Sequence, residues 1–184
     1  MEKCYVGIKL PQSFRDDYLE IQAEIKHLIP GAELDDPDWA HVTLFYLGTQ
    51  SDPHLTEISQ TLSSNLKYLK PPEIKFLGID FFVPQDPKVI FLKLEQTPTL
   101  MELNQKLVKI LSEYNFPENS FVPHITIART RDNDSIRLAR INEDIIYKIG
   151  SNINFDTTIN EIELRGRDPD KNYNRFIFQK FILS

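Results

Sequence analysis

The beginning of the chain changes from an alternating to a helical pattern and back again. Alternation predicts a strand over residues 5–10, and the amphipathic stretch that follows Pro11 predicts a helix as far as Ile29. A second alternating run begins at His41 and ends at Gly48. This part of the chain therefore predicts the order strand, helix, strand.

The next part continues the mixture of helices and strands. Apolar residues at helical spacing predict a helix over residues 53–69, which a pair of prolines at 71–72 ends. Two strands are predicted over residues 74–83 and 88–94, and the turn between them, 84–87, has a proline at each end. The sequence up to this point predicts an α/β (α+β) fold.

From Val89 the order of elements begins again. After the strand that ends at Leu94, a helix is predicted over residues 98–114 and a strand from His124. Two closing strands are predicted over 159–164 and 175–182. The second half of the sequence therefore has the same order of elements as the first.

The spacing of matching positions supports an internal duplication. Leu10 precedes His41 by 31 residues (41 − 10), and Leu94 precedes His124 by 30 (124 − 94). The sequence thus predicts a single domain of two pseudo-symmetric lobes, with a cleft between them. Each lobe is expected to be a mostly antiparallel sheet with helices on its outer face. The predicted halves are roughly residues 1–86 and 87–184.

Composition narrows the class of protein. The 184 residues, 41% of them hydrophobic, are enough for one core. We expect neither a signal peptide nor a membrane span, because no apolar run approaches the roughly 18 residues that a span needs. The single cysteine, Cys4, can form neither an internal disulfide nor a cysteine-based zinc site. A cytoplasmic monomer without membrane contact is predicted.

The charge of the chain limits its partners. The net charge is −6, whereas affinity for long nucleic acid comes mainly from neutralisation of phosphates by Lys and Arg. We therefore expect no binding of long duplex DNA or RNA. A nucleotide substrate should be small, or held only at one end.

The strongest signal is a tetrapeptide pattern that occurs once in each half. His41 begins HVTL and His124 begins HITI, and only four histidines occur in the chain. Side chains alternate along a strand, so each histidine should share a face with the threonine two positions later, Thr43 or Thr126. Each lobe would then offer one imidazole and one hydroxyl to the cleft.

Two opposed imidazoles suit the cleavage of a phosphodiester. Such a reaction needs a base for the attacking oxygen and an acid for the leaving oxygen, and a pKa near 6.5 allows histidine either role. The threonine hydroxyls can donate to the non-bridging oxygens of the phosphate. No carboxylate or cysteine stands at ligand spacing beside either histidine, so neither a catalytic metal nor another cofactor is predicted.

The two His-x-Thr-x motifs resemble those of the two-histidine phosphoesterase superfamily. Their flanks, FVPHITIAR (121–129) and HVTLFYLG (41–48), are similar to those of bacterial and archaeal RNA 2′,3′-cyclic phosphodiesterases, once called 2′-5′ RNA ligases. The closing segment YNRFIFQKFIL (173–183) is similar as well. This resemblance implies hydrolysis of RNA 2′,3′-cyclic phosphate ends to 2′-phosphates, with His41, Thr43, His124 and Thr126 as the catalytic set.

For residues outside the two motifs, the alternation of the strands gives less support to a position in the cleft. The resemblance implies that Arg129 binds a phosphate, although in a regular strand it would face away from His124, so a bulge or strand end is required. Phe45 shares the predicted face of the first motif, where its ring could stack on a base or pack in the core. Solvated strand faces are predicted for three more residues: Tyr5, Lys9 and Lys93.

Fold and motif leave other functions open. Relatives with the same histidine pair cut 2′-5′ or 3′-5′ linkages, or degrade small cyclic oligonucleotide signals. A third alternative is a nucleotide-binding module that retains the cleft without activity. The polar connection from Arg129 to Asn154 departs from the family pattern, and connections of this kind often carry specificity.

Overall fold

The computed structural model describes residues 2–114, 116, 120–168 and 174–184; Tyr173, with which the closing segment begins, lies outside them. The described residues form five α-helices and nine strands. The strands are β1 (Glu2–Lys9), β2 (Glu33–Leu34), β3 (His41–Gln50), β4 (Glu73–Phe81), β5 (Val89–Leu94), β6 (His124–Arg129), β7 (Asp156–Thr158), β8 (Glu161–Asp168) and β9 (Asn174–Ile182). The helices are α1 (Arg15–Leu28), α2 (Asp52–Leu66), α3 (Pro98–Ile110), α4 (Asn133–Ile141) and α5 (Glu143–Ser151).

The main predicted strands and helices are all present, with ends shifted by a few residues. The predicted helix after Pro11 begins as a 3-10 turn at Gln12–Phe14 before α1. The connection predicted to be polar, from Arg129 to Asn154, contains α4 and α5. Ala139 of α4 and Ile146 of α5 are buried and fix these helices to the rest of the molecule.

The strands form one continuous antiparallel sheet in the order β7-β4-β5-β6-β3-β1-β8-β9, with β2 on the far end of β6. The motif strands β3 and β6 are neighbours in the middle of this order and are joined at the pair Val42 and Ile125. Each half of the sheet takes strands from both halves of the sequence, since β1 pairs with β8 and β4 with β5. The predicted boundary near residue 86 therefore does not separate the two sheet halves, and the duplication itself stays a prediction.

The helices cover the outer faces of the sheet, as predicted. Helix α1 packs on β6, α3 on β3 and α5 on β4. The approach of α5 depends on Gly150, where an added Cβ would lie 2.3 Å from the backbone nitrogen of Ile79. A two-lobed α/β fold with a mostly antiparallel sheet is thus confirmed. Among the described helices, none combines the length and the apolar character that crossing a membrane requires.

Candidate active site

The two motif histidines face one cleft of about 530 Å³ at the junction of β3 and β6. Thr43 and Thr126 line the same cleft, so all four motif residues predicted to be catalytic come together. The other lining residues come from neighbouring strands and loops: Lys3, Tyr5, Glu33, Leu34, Asp35, Trp39, Tyr46, Arg129, Arg131, Gly166, Arg167 and Arg175.

Both imidazoles are fixed in the same way by the backbone. His41 Nδ1 lies 2.7 Å from the carbonyl oxygen of Trp39, and His124 Nδ1 lies 2.7 Å from the carbonyl oxygen of Val122. A carbonyl oxygen can only accept, so Nδ1 carries the proton in each ring. In the neutral ring, Nε2 then has a free lone pair. The backbone beside each motif therefore holds both rings in the same tautomer, in which Nε2 can take part in proton transfer.

His41 is held further by the ring of Tyr5. The two rings stack with centroids 4.3 Å apart and an angle of 17° between their planes. This arrangement needs a glycine at position 7, where an added Cβ would lie 3.3 Å from the Tyr5 ring and 2.7 Å from the carbonyl oxygen of Val42. Tyr5 thus belongs to the cleft, and the prediction of a solvated position for it was wrong. Its ring packs along the strand, over Gly7, instead of standing away from the sheet.

A buried ion pair lies behind His41. Arg165 and Glu163 are each only 1% exposed, and Arg165 Nε lies 2.6 Å from a Glu163 carboxylate oxygen. Arg165 Nη1 donates to the Trp39 carbonyl at 3.2 Å, the same oxygen that accepts from His41. The guanidinium also lies 4.9 Å from the centre of the Trp39 ring. Arg165 therefore fixes the peptide that orients the imidazole, which is the usual role of an outer hydrogen-bond partner.

His124 has an aromatic rather than an ionic surrounding. Phe82 and Phe91 form T-shaped contacts with its ring, with centroids 4.5 and 5.3 Å from that of the imidazole. Lys93, on the neighbouring strand, is turned away in an ion pair with Asp80 at 2.9 Å, as its predicted solvated position requires. The two histidines thus share one tautomer but lie in different environments.

Burial lowers the pKa of both histidines. For His41 burial is the main cause and the positive charges of Arg165 and Arg175 add to it, so the pKa falls to about 4. For His124 burial is again the main cause, and Arg129 adds to the lowering of the pKa. The hydrogen bond to the backbone carbonyl opposes the shift in each case. Both rings are therefore neutral at pH 7 in the free protein.

A bulge in β6 explains how Arg129 enters the cleft. Two successive residues of β5 pair with Ala128 and Thr126, so Ile127 between them is an extra residue. The extra residue shifts the alternation by one, and Arg129 comes to the same face as His124 and Thr126. The structure thus contains the bulge that a phosphate contact by Arg129 requires.

A matching bulge in β3 removes Phe45 from the cleft. Two successive residues of β1 pair with Phe45 and Thr43, which makes Leu44 the extra residue. Phe45 is therefore only 6% exposed and packs edge-on against Phe116, with ring centroids 5.8 Å apart. The prediction that Phe45 shares the face of the motif was wrong. Tyr46 lines the main cleft in its place, while Phe45 lines a smaller recess that Thr43 and His124 also line.

The carbonyl groups freed by the two bulges are satisfied by amides from the outer helices. Asn104 of α3 donates to the Leu44 oxygen at 2.8 Å, and Gln22 of α1 donates to the Ile127 oxygen at 3.0 Å. Buried carbonyl groups need such partners. The backbone N–H of Asp35 also donates to Ile127, at 2.9 Å. Both bulges are therefore built into the packing of the molecule.

The chain is similar to known proteins in sequence and in fold. A model of the 2′-5′ RNA ligase superfamily matches residues 18–171. The RNA 2′,3′-cyclic phosphodiesterase of Thermotoga maritima is 28% identical over 131 residues, which is 70% of each chain. That of Methanothermobacter thermautotrophicus is 26% identical over 131 residues, or 70% of this chain and 71% of its own. Among solved structures, E. coli LigT complexed with 3′-AMP has a similar fold: its TM-score is 0.74 at 16% identity, and the match covers 100% of this chain and 98% of that one.

Proposed function

Because this chain belongs to the 2′-5′ RNA ligase superfamily, which confirms the resemblance seen in its two motifs, we propose that it hydrolyses RNA 2′,3′-cyclic phosphate ends to 2′-phosphates without a metal. The enzyme class of this protein is phosphodiesterase. The observation that carries the proposal is the convergence of two imidazoles, each with Nδ1 tied to the backbone, on one cleft. A monomer in the cytoplasm is part of the proposal.

The paired rings account for every proton that the reaction moves. A neutral ring accepts a proton from water at Nε2 while the water oxygen attacks phosphorus and the bond to O3′ breaks. The other ring, protonated, donates from Nε2 to O3′, so the products are a 2′-phosphate and a 3′-hydroxyl. The bound phosphodiester is an anion, and its charge favours the protonated form of one of the two rings.

Three other side chains are positioned to stabilise charge on phosphate. Thr43 and Thr126 line the cleft, and within the described part of the chain neither hydroxyl has a protein hydrogen-bond partner. Both hydroxyls are thus available to donate to the non-bridging oxygens. Arg129, brought in by the bulge, offers a guanidinium to the same anion.

The test is product analysis with pure protein. We expect an RNA oligonucleotide with a 2′,3′-cyclic phosphate end to yield a 2′-phosphate, identified by mass and by the position of the phosphate. A panel of 2′-5′ and 3′-5′ linked dinucleotides and small cyclic oligonucleotides runs in parallel. Turnover of a panel member in preference to the cyclic end would replace the proposed substrate. Binding of the cyclic end without any turnover would indicate a nucleotide-binding module.

Activity should survive removal of metal ions. Within residues 2–114, 116, 120–168 and 174–184, no three His, Cys, Asp or Glu side chains are grouped as metal ligands. The two imidazoles supply both proton transfers, so turnover after dialysis against EDTA should stay within about twofold of the untreated protein. Loss of activity on chelation, with recovery on addition of Zn²⁺ or Mn²⁺, would contradict this mechanism.

The pH dependence of kcat/KM should have its maximum in the acid range. This parameter reports the free enzyme, which is active with one ring neutral and one protonated. Since burial lowers the pKa of both rings below 6.5, and that of His41 to about 4, this state is most populated below about pH 6. As pH rises further, the protonated acid is lost and kcat/KM falls. A pH profile at constant ionic strength checks this, and a maximum above pH 7 would contradict it.

A further inference from the structure

Three cationic side chains stand on one rung of the sheet at the outer end of the cleft. Lys3 of β1 pairs with Arg167 of β8, and Arg167 pairs with Arg175 of β9. Residues paired directly across antiparallel strands share a face, with Cβ atoms about 4.5–5.5 Å apart. All three side chains line the cleft. We call Lys3, Arg167 and Arg175 the basic rung.

The basic rung places like charges on neighbouring strands. Like charges directly opposite each other destabilise a sheet, and the chain as a whole carries a net charge of −6. Arg175 is partly balanced by Asp35 at 3.8 Å and Asp36 at 3.4 Å. Among the residues that the structure describes, the cleft lining nevertheless has five Lys and Arg residues against two carboxylates. Positive charge is thus concentrated in this cleft of an acidic protein, which favours an anionic ligand.

The basic rung lies beyond the histidines, not between them. Lys3 precedes Tyr5, the residue stacked on His41, by two positions, a step of about 7 Å along a strand. Arg175 joins the two regions, because its guanidinium lies 6.0 Å from the centre of the Trp39 ring. An anion at the rung would therefore be distinct from the phosphodiester held between the imidazoles.

We propose that the basic rung is a subsite for a second phosphate group, so that the preferred substrate carries one phosphate besides the cyclic one. The proposal rests on the proposed function, and it defines which RNA ends are preferred. The second phosphate can come from the internucleotide linkage of an RNA end or from a 5′-phosphate on a single nucleotide. Both are recognised by the same chemistry, in which guanidinium and ammonium groups donate to phosphate oxygens.

The substrate test compares substrates that differ in the charge of the second phosphate. Adenylyl-adenosine 2′,3′-cyclic phosphate is compared with its methylphosphonate-linked analogue, in which the internucleotide linkage is neutral. Adenosine 2′,3′-cyclic phosphate with and without a 5′-phosphate forms the second pair. We expect kcat/KM to be at least about tenfold higher for the charged member of a pair, mainly through KM, and the ratio to decrease with added salt. The pair that shows the ratio identifies the source of the phosphate.

Substitutions in the basic rung test whether these residues cause the difference in kcat/KM between the two substrates of a pair. Lys3→Met and Arg167→Met should each reduce the ratio to less than about threefold, and Lys3→Glu should bring it to one or below, because the repulsion penalises the charged substrate. The matched controls are Lys106→Met on α3 and Arg137→Met on α4, two exposed ion-paired residues outside the cleft. Each control removes one positive charge and should leave the ratio unchanged.

Two readouts separate this proposal from the proposed function. Turnover of both members of each pair at equal kcat/KM by the wild-type protein would show that hydrolysis is right and the subsite wrong. Binding of the linear dinucleotide 3′-phosphates, charged and methylphosphonate-linked, is measured by calorimetry and needs no turnover. A wild-type affinity ratio that is lost in Lys3→Met supports the subsite even if no substrate is hydrolysed. Equal affinities, or a ratio that Lys3→Met and Arg167→Met both retain, would overturn it.

Discussion

Replacement of either motif histidine should lower kcat by about 100- to 10,000-fold. His41→Ala removes one of the two Nε2 atoms that face the cleft, and His124→Ala removes the other. Each change leaves one proton transfer to solvent. A decrease in kcat of this size is usual when a general acid or base is removed. The double variant should lose much less than the product of the single effects, because the two rings act as one unit. Steady-state kinetics on a verified substrate measure all three.

The remaining two histidines provide the control. His27 lies on α1, and His54 on α2 hydrogen-bonds Gln50 and packs against Tyr114, so neither lines the cleft. His27→Ala and His54→Ala should keep turnover within about threefold of wild type, well below a lost acid or base. Circular dichroism establishes that each variant is folded. A folded His41→Ala or His124→Ala protein with more than about a tenth of wild-type turnover would refute the assignment.

The sequence predicts the motif strands but not the way in which they meet. Alternation around His41 and His124 is local information, and it places each threonine on the face of its histidine. The strand pairing between β3 and β6 consists of a single residue pair, Val42 with Ile125. It depends on β1 and β5 pairing on the outer sides of these strands, and such long-range pairing has no signal in the spacing of one strand.

The two bulges mark where local reasoning fails. Each falls on the third residue after a motif histidine, at Leu44 and Ile127, and brings the fifth residue, Tyr46 or Arg129, to the cleft. The sequence of the strand itself does not predict the extra residue. Its carbonyl is accommodated by an amide from a helix that packs on the strand from elsewhere in the sequence. Extrapolated alternation therefore placed Phe45 wrongly.

The support of His41 was missed for a related reason. Arg165 and Glu163 occupy alternate positions of a closing strand, where charged residues usually indicate a solvated face. They are buried because Tyr5 lies flat along β1 and Trp39 covers the guanidinium. The strand alternates charged residues with apolar residues or glycine from Glu161 to Arg167. This is the pattern of a solvated face, so the strand itself carries no signal of a buried ion pair.

Loss of the cleft hydroxyls should reduce turnover without unfolding the protein. Thr43→Val and Thr126→Val keep the shape of a β-branched side chain but remove the donor aimed at phosphate, so kcat should fall by about 10- to 1,000-fold for each. Thr43→Ser and Thr126→Ser, which keep the hydroxyl, should retain most of the activity. Steady-state kinetics give the ratio of Val to Ser variants, in which effects of the strand itself largely cancel.

The matched control for the threonines is Thr158→Val, at an exposed position of β7 outside the cleft. It should leave kcat unchanged, and thermal melting should show all the Val variants to be as stable as wild type within a few degrees, since a β-branched residue remains in each strand. Thr126 is the more demanding site because it is only 9% exposed. Burial there excludes water that could replace a missing donor, so Thr126→Val should cost more than Thr43→Val. Wild-type turnover in both Val variants would reduce the catalytic set to the two histidines.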